Sequence, residues 1–195
     1  MRKYLTVLLW LFILLFPGTM PAVENITGIE AEFTQTRQLK DLDMSVSFRG
    51  FMRCEPGKRL KWAVREPVAA VTLIEADKLT HFDLQSRTTA VVDAAKIPLL
   101  KLMNRNLNGW MTGDEKILAE NFTVSRPDAR TLQLTPHDPV SRAMMSAVQI
   151  TFGEHAREVK QIRITEKSGE ITEISFSAVK FNPRWSEADW KLDLK

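Results

Sequence analysis

Few residues in this 195-residue chain could do chemistry. The three histidines, His81, His137 and His155, stand far apart, and neither a CxxC nor an HExxH pattern is present. No metal site and no cofactor are expected from such a set. His81 comes closest to a catalytic arrangement, with Asp83 two residues on and Ser86 nearby. A triad needs the imidazole within reach of both partners. Side chains two apart on a strand project in parallel without meeting, so a solvated strand face is the expectation and no catalytic residue is assigned. No glycine-rich phosphate loop occurs. Cys54 has no partner that would activate it, and an inert, half-buried thiol is expected.

The stretch RLKWAVREP, from Arg59 to Pro67, poses a sharper choice. Aromatic and basic residues interleaved on one surface can bind nucleic acid. In an extended strand, however, Leu60, Trp62 and Val64 point one way while Arg59, Lys61 and Arg65 point the other. The stretch therefore reads as a half-buried strand, and no nucleic-acid partner is expected. Pro67 limits how far pairing can run.

The elements that would position these residues begin after residue 22. Residues 1–22 have the layout of a secretory signal peptide: Met1-Arg2-Lys3, the apolar run from Tyr4 to Phe16, then PGTMPA ending at Ala22. The run is short for a membrane span. Loss of Arg2 and Lys3 takes the formal charge from +3 to +1, so the exported domain, 23–195, is barely basic. One cysteine cannot form an internal disulfide, and the domain must hold together by its core. The expectation is an exported protein.

The rest reads mostly as strands. IEAEFTQTRQL places Ile29, Ala31 and Phe33 on one face, with Gln35 and Arg37 continuing that row. DMSVSFRGFMRC places Met44, Val46, Phe48, Gly50 and Met52 together, and Phe51 breaks the polar row opposite. Residues 68–93 read as three strands with turns at Asp77-Lys78 and at 85–87. NFTVS, TLQLTP and VQITF follow, then a hairpin turning around 167–170, with Ile162 and Ile164 facing one way before it and Ile174 and Phe176 facing one way after it. Two helices are expected. One starts near Pro98, carries Leu99, Leu100, Met103, Leu107, Trp110 and Met111 on one stripe, and stops at Gly113. The other is DPVSRAMMSA, with Asp138 as N-cap and Pro139 at the first helical position. The fold class is mainly β (α+β): a single curved antiparallel sheet forming an incomplete barrel, with short helices covering its concave face.

Such an interior has two readings. Five tryptophans, ten phenylalanines and eight methionines can fill a core. They can also line a cavity for acyl chains, where methionine adapts to irregular guests. Met103, Met111, Met144 and Met145 would then sit on two lid helices. Periodicity leaves both open.

FTQTRQL, SFRGFM, RLKWAVREP and LIEADKLTHFD, in that order, together with IRITEKSGEITEISFSAVKFNPRW, resemble the LolA family of periplasmic lipoprotein carriers. The likeness runs from about Phe33 to Leu194. It implies a nearly closed sheet whose last hairpin is followed by an asparagine and a final strand. It implies a non-catalytic carrier, expected to be monomeric, that receives the acyl chains of lipoproteins from an inner-membrane transporter and hands them to an outer-membrane receptor. The expected lipid-binding cavity combines Phe33, Leu60 and Trp62, matched to family positions, with Phe48, Val64, Met103, Leu107, Trp110, Met144, Met145, Ile164 and Phe176. The family's best-known carriers have Arg-Pro at the turn before the tryptophan strand, where the arginine matters for release. Here the turn reads Cys54-Glu55-Pro56-Gly57. Alternatives in keeping with that departure are a carrier of another lipid or amphiphile with a dedicated exporter, and a lipid-sensing regulatory protein.

Overall fold

The computed structural model describes residues 26–75, 78–93, 109–153 and 158–195. Eleven strands run in chain order: β1 (Ile29–Leu39), β2 (Met44–Glu55), β3 (Arg59–Glu66), β4 (Ala70–Ile74), β5 (Lys78–Asp83), β6 (Thr88–Asp93), β7 (Phe122–Asp128), β8 (Thr131–Pro136), β9 (Met145–Phe152), β10 (Val159–Glu166) and β11 (Ile171–Phe181). They form one antiparallel sheet in the order β6-β5-β4-β3-β2-β1-β11-β10-β9-β8-β7, which is open. Every neighbouring pair is sequential except β1 with β11, which joins the two halves of the sheet at its centre. The expected mainly-β sheet with short helices is what forms.

The alternation in the sequence sets the faces. Ile29, Cys54, Leu60, Ile74 and Leu79 lie in register across β1 to β5, as do Ala31, Met52, Trp62, Thr72 and His81 in the next rung. On the other half, Ile174, Ile162, Ile150 and Leu132 align across β11 to β8. These rows carry the main apolar core, and we refer to their side as the core face. Burying such a row stabilises the sheet by on the order of 25 cal/mol per Å² of apolar surface removed from water.

Helical residues join that core. Residues 109–112 are helical, with Trp110 and Met111 buried. Gly113 ends the turn at φ +67, a conformation that suits glycine. Asp114 then caps α1 (Glu115–Ala119) through its carboxylate, which accepts from the Lys116 and Ile117 N–H groups. This helix was not expected. At five residues it is too short to show a period, although Asp before a charged-then-apolar run is a capping signal. Asp138 caps α2 (Pro139–Met144), with proline in the first turn as anticipated.

Three expectations need correction. Met145 is not on the second helix: its backbone is extended (φ −136, ψ 148), it opens β9 and it pairs with Glu166. The turn near Asp77 ends one residue early, because Lys78 already belongs to β5. No final strand follows the last hairpin. β11 already has β1 on one side and β10 on the other, so a strand after it has no free edge to join. Asn182 instead turns the chain at φ 52, and its N–H donates to the Gly28 carbonyl at 2.8 Å. The rest of the tail, with a 3-10 turn at Glu187–Trp190, lies over the outer face.

That placement explains Phe51. It forms a second, smaller cluster with Ala63 and Val71, closed over by Leu84, Leu192 and Leu194. Strand β2 is therefore buried on both faces around Gly50, Phe51 and Met52. Cys54 faces the main core at 1% exposure, deeper than the half-buried position expected. Burial pushes its thiol up to about 12. Ellman's reagent at pH 8 is expected to leave native protein unlabelled and to label it fully in denaturant; rapid labelling of native protein would contradict this burial.

Candidate functional site

The residues that could have done catalysis are not linked through the histidine. His81 Nδ1 pairs with Thr72 Oγ1 at 2.9 Å. The Asp83 carboxylate instead accepts from the Gln85 and Ser86 N–H groups, both at 2.8 Å, and closes the β5–β6 turn. Ser86 Oγ meets Thr88 Oγ1 at 2.8 Å. The three side chains are not assembled into a relay. Among the described residues no group of three or more His, Cys, Asp or Glu converges as a metal site.

The cations of RLKWAVREP point away from Trp62, as alternation requires; Lys61 is buried and Arg59 half-buried, while Arg65 stays exposed. Lys61 is 0% exposed, and its Nζ donates to the Asp189 carbonyl at 3.0 Å, the Lys195 carbonyl at 3.2 Å and Asp193 Oδ1 at 3.3 Å. Arg59 holds Glu55 and both oxygens of Glu187, with its guanidinium 4.1 Å above the Trp190 ring. Arg65 holds Glu32, and Arg53 holds Glu30 and the Asp189 carbonyl. Arg53, Arg59 and Lys61 thus form a seam between the sheet and its own tail. A small cleft of about 110 Å³ remains beside it, between Phe51, Arg53, Arg65 and Lys180. Both of its glutamates are paired: Glu30 with Arg53 and Lys180, and Glu32 with Arg65.

The core face is the remaining candidate. Phe33 on β1 stacks on Trp62 on β3, centroids 3.8 Å apart at 23°. The two rings meet across β2, where Gly50 stands opposite Phe33 and Val64 and offers no side chain to block them. Phe33, Leu60, Trp110, Met145 and Phe176 are fully buried in the main core. Phe48, Trp62, Val64, Met144 and Ile164 are half-buried. Met103 and Leu107 lie outside the described residues. The twelve residues thus divide, where they are described, between a filled floor and a looser rim. The row Met44, Val46, Phe48 on β2 continues that rim outward, with Met44 57% exposed at its end. The indole N–H of Trp110 is buried without a partner.

Sequence reasoning placed Arg37 in the row of this face but missed its partners. Arg37 continues the β1 row opposite the apolar Val46 and the buried, polar Thr172. It is held by Glu166 at 3.0 Å and Glu170 at 2.6 Å. The bond to Glu170 leads in keeping its guanidinium charged, with burial working the other way. A lone arginine in an alternating apolar row was the available signal.

The fold is an open antiparallel sheet with one apolar face, buried at its floor and half-buried at its rim. The family profile described as outer membrane lipoprotein carrier protein LolA matches residues 24–193, and the chain belongs to that family. Its members are periplasmic and generally non-catalytic binding proteins. No curated protein matches the sequence. Among solved structures, the chain is similar to a LolA superfamily protein from Nitrosomonas europaea at 11% identity and a TM-score of 0.46, covering 84% of this chain and 90% of that one. It is similar to a putative outer membrane lipoprotein-sorting protein domain from Vibrio parahaemolyticus at 12% identity and 0.43, covering 86% and 90%. It is also similar to a chain of the Pseudomonas aeruginosa MucA/MucB complex at 11% identity and 0.44, covering 85% and 56%. No helix among the described residues is long and apolar enough to cross a membrane.

Proposed function

We propose that the protein is a non-catalytic carrier, exported by the signal peptide at 1–22, that shields acyl chains of lipoproteins on the core face of its 23–195 domain. It moves them through the periplasm as a monomer, between an inner-membrane transporter and an outer-membrane receptor, without a cofactor. The observation that carries this reading is the uneven filling of the core face. Phe33, Leu60 and Phe176 are sealed, while Trp62, Val64, Ile164 and Phe48 are half-buried and lead out to Met44. A face built only as core would close over its largest side chains. Each methylene laid on such a surface contributes about 0.8 kcal/mol, which is what an acyl chain needs in order to leave a membrane.

Trp62→Glu tests it. A carboxylate beside Phe33 makes the rim hostile to hydrocarbon, and the half-buried position lets the charge reach water. Retention of a diacylated lipopeptide, read by native mass spectrometry, is expected to fall by tenfold or more with the far-UV circular dichroism unchanged. Equal retention by a folded variant removes Trp62 from the site.

A second reading, a carrier of another amphiphile with its own exporter, has one observation in its favour. The turn after β2 lacks the family's Arg-Pro, and the two arginines flanking it, Arg53 and Arg59, are bound to Glu30, Glu55 and the tail. Neither is free to replace the missing arginine. Identifying the mass bound by protein purified from the periplasm separates the readings: acylated protein favours the first, free lipid the second.

A further inference from the structure

We infer that Arg37, with Gln35 beside it on β1, is the polar anchor for the ester head of the acylated ligand. The inference rests on the carrier reading above. Gln35 and Arg37 follow Phe33 on the core face, and their registered neighbours are Phe48 and Ile174 for Gln35, Val46 and Thr172 for Arg37. Two polar side chains thus interrupt the apolar rim where it turns outward. The Arg37 side chain is 43% exposed, yet its Nε–H is covered by protein atoms and has no hydrogen-bond partner, so a guest's acceptor meets it once the exposed end of the side chain shifts. A shielded guanidinium N–H without an acceptor is costly and rare in a finished interior. Gln35 makes no side-chain hydrogen bond among the described residues, so its amide is available to the same guest.

The charge around Arg37 selects the chemistry. Its Nη2 already binds Glu166 and Glu170, two carboxylates against one guanidinium. Lys40 Nζ lies at Gly169 in the same turn, so the cluster is near neutral and has no spare positive charge to hold a phosphate or a free fatty-acid carboxylate, whereas an uncharged acceptor needs none. The carbonyl of an acyl ester is such an acceptor, and it sits where a hydrocarbon chain begins, as Arg37 sits where the apolar row meets the polar rim. Diacylglyceryl lipopeptides and phospholipids both supply this group.

The test compares ester-linked ligands with ether-linked analogues of equal chain length, which keep the hydrocarbon and lose the carbonyl. Wild-type full-length mature protein is expected to bind a dipalmitoyl lipopeptide about tenfold more tightly than its dialkyl-ether analogue. Arg37→Lys keeps a cation for Glu166 and Glu170 but has no Nε–H. It is expected to fold normally and to bind both analogues alike, at the wild-type ether affinity. Gln35→Leu should lose part of the ester preference. The same comparison with diacyl and dialkyl phosphatidylethanolamine says which source of ester is preferred. Ester and ether bound equally by wild type, or an ester preference surviving Arg37→Lys, overturns the anchor and leaves the carrier reading intact. Failure of wild type to bind either analogue overturns the carrier reading itself, and the anchor with it.

Discussion

Gly50→Ala is expected to lower the unfolding free energy by about 3 kcal/mol or more, the upper range for forcing one methyl group into a packed interior. A β-carbon at Gly50 would lie 1.9 Å from the Ala63 carbonyl oxygen, 2.9 Å from its carbon and 3.0 Å from Val64 Cα. These are backbone atoms, so no rotamer change relieves the clash. The close approach comes from a bulge: Arg49 pairs with Glu66 but Gly50 with Val64, so β3 takes an extra residue just there. Strand β2 cannot retreat, because β1 holds it on the other side and the Phe33–Trp62 stack spans it. Gly57→Ala is the matched comparison. Gly57 has φ +75 but nothing within 4 Å of the added carbon, so only the left-handed backbone is penalised, at about 1 kcal/mol. Urea titration of the three proteins reads both values from the midpoints. A Gly50→Ala midpoint equal to that of Gly57→Ala would mean β2 and β3 separate easily. Acyl-ligand retention should fall with stability in Gly50→Ala, because any relief of the clash moves Trp62.

How far such effects can be read from sequence depends on the residue. The alternation in β1 and β8 gives their bounds directly, because each strand has one wet face and one dry face and period two is unmistakable. The separation of Trp62 from Lys61 follows for the same reason. What alternation cannot say is what covers the second face. Phe51 looked like a defect in a polar row until the tail was seen to close over it, and Lys61 looked solvated although it is buried. Both depend on contacts more than a hundred residues away in sequence, which no local pattern encodes. The expected final strand failed at the same point. Its residues are apolar enough for pairing, but only topology shows that β11 is central. The candidate site divides likewise. Face membership of Phe33, Leu60, Trp62 and Val64 was legible, whereas their division into sealed and accessible was set by packing partners. Arg37 was visible in its row, but its two glutamates come from β10 and from the turn before β11.

The tail makes the second large prediction. Lys61→Glu is expected to release the segment after Asn182 from the outer face, at a cost of about 3 kcal/mol. The substitution puts a carboxylate among the Asp189 and Lys195 carbonyls and the Asp193 carboxylate, all of them acceptors. The folded state can escape that conflict by undocking the tail, so the cost is capped by the docking free energy and the sheet survives. Trp185 and Trp190, packed edge to face at 5.2 Å, then become solvated, and their emission shifts to the red. Limited proteolysis should cut between them. Lys61→Met separates charge from packing. It keeps the apolar stem against Phe51 and loses only the donor, so the tail stays docked at a cost of about 1 kcal/mol. The two differ in pH dependence. Burial lowers the Lys61 pKa below its ordinary 10.5, with the Asp193 bond opposing. Between that lowered value and 10.5 the unfolded chain binds more protons than the folded one, so Lys61 contributes a rise in stability as pH climbs through this alkaline window. Lys61→Met is expected to lose that rise, and denaturation midpoints from pH 8 to 10.5 measure it. If Lys61→Glu leaves tryptophan emission and proteolysis unchanged, the seam is not what holds the tail. Docking must then come from Leu192 and Leu194 against Phe51, and substituting those two leucines by serine should release the tail where Lys61→Glu did not.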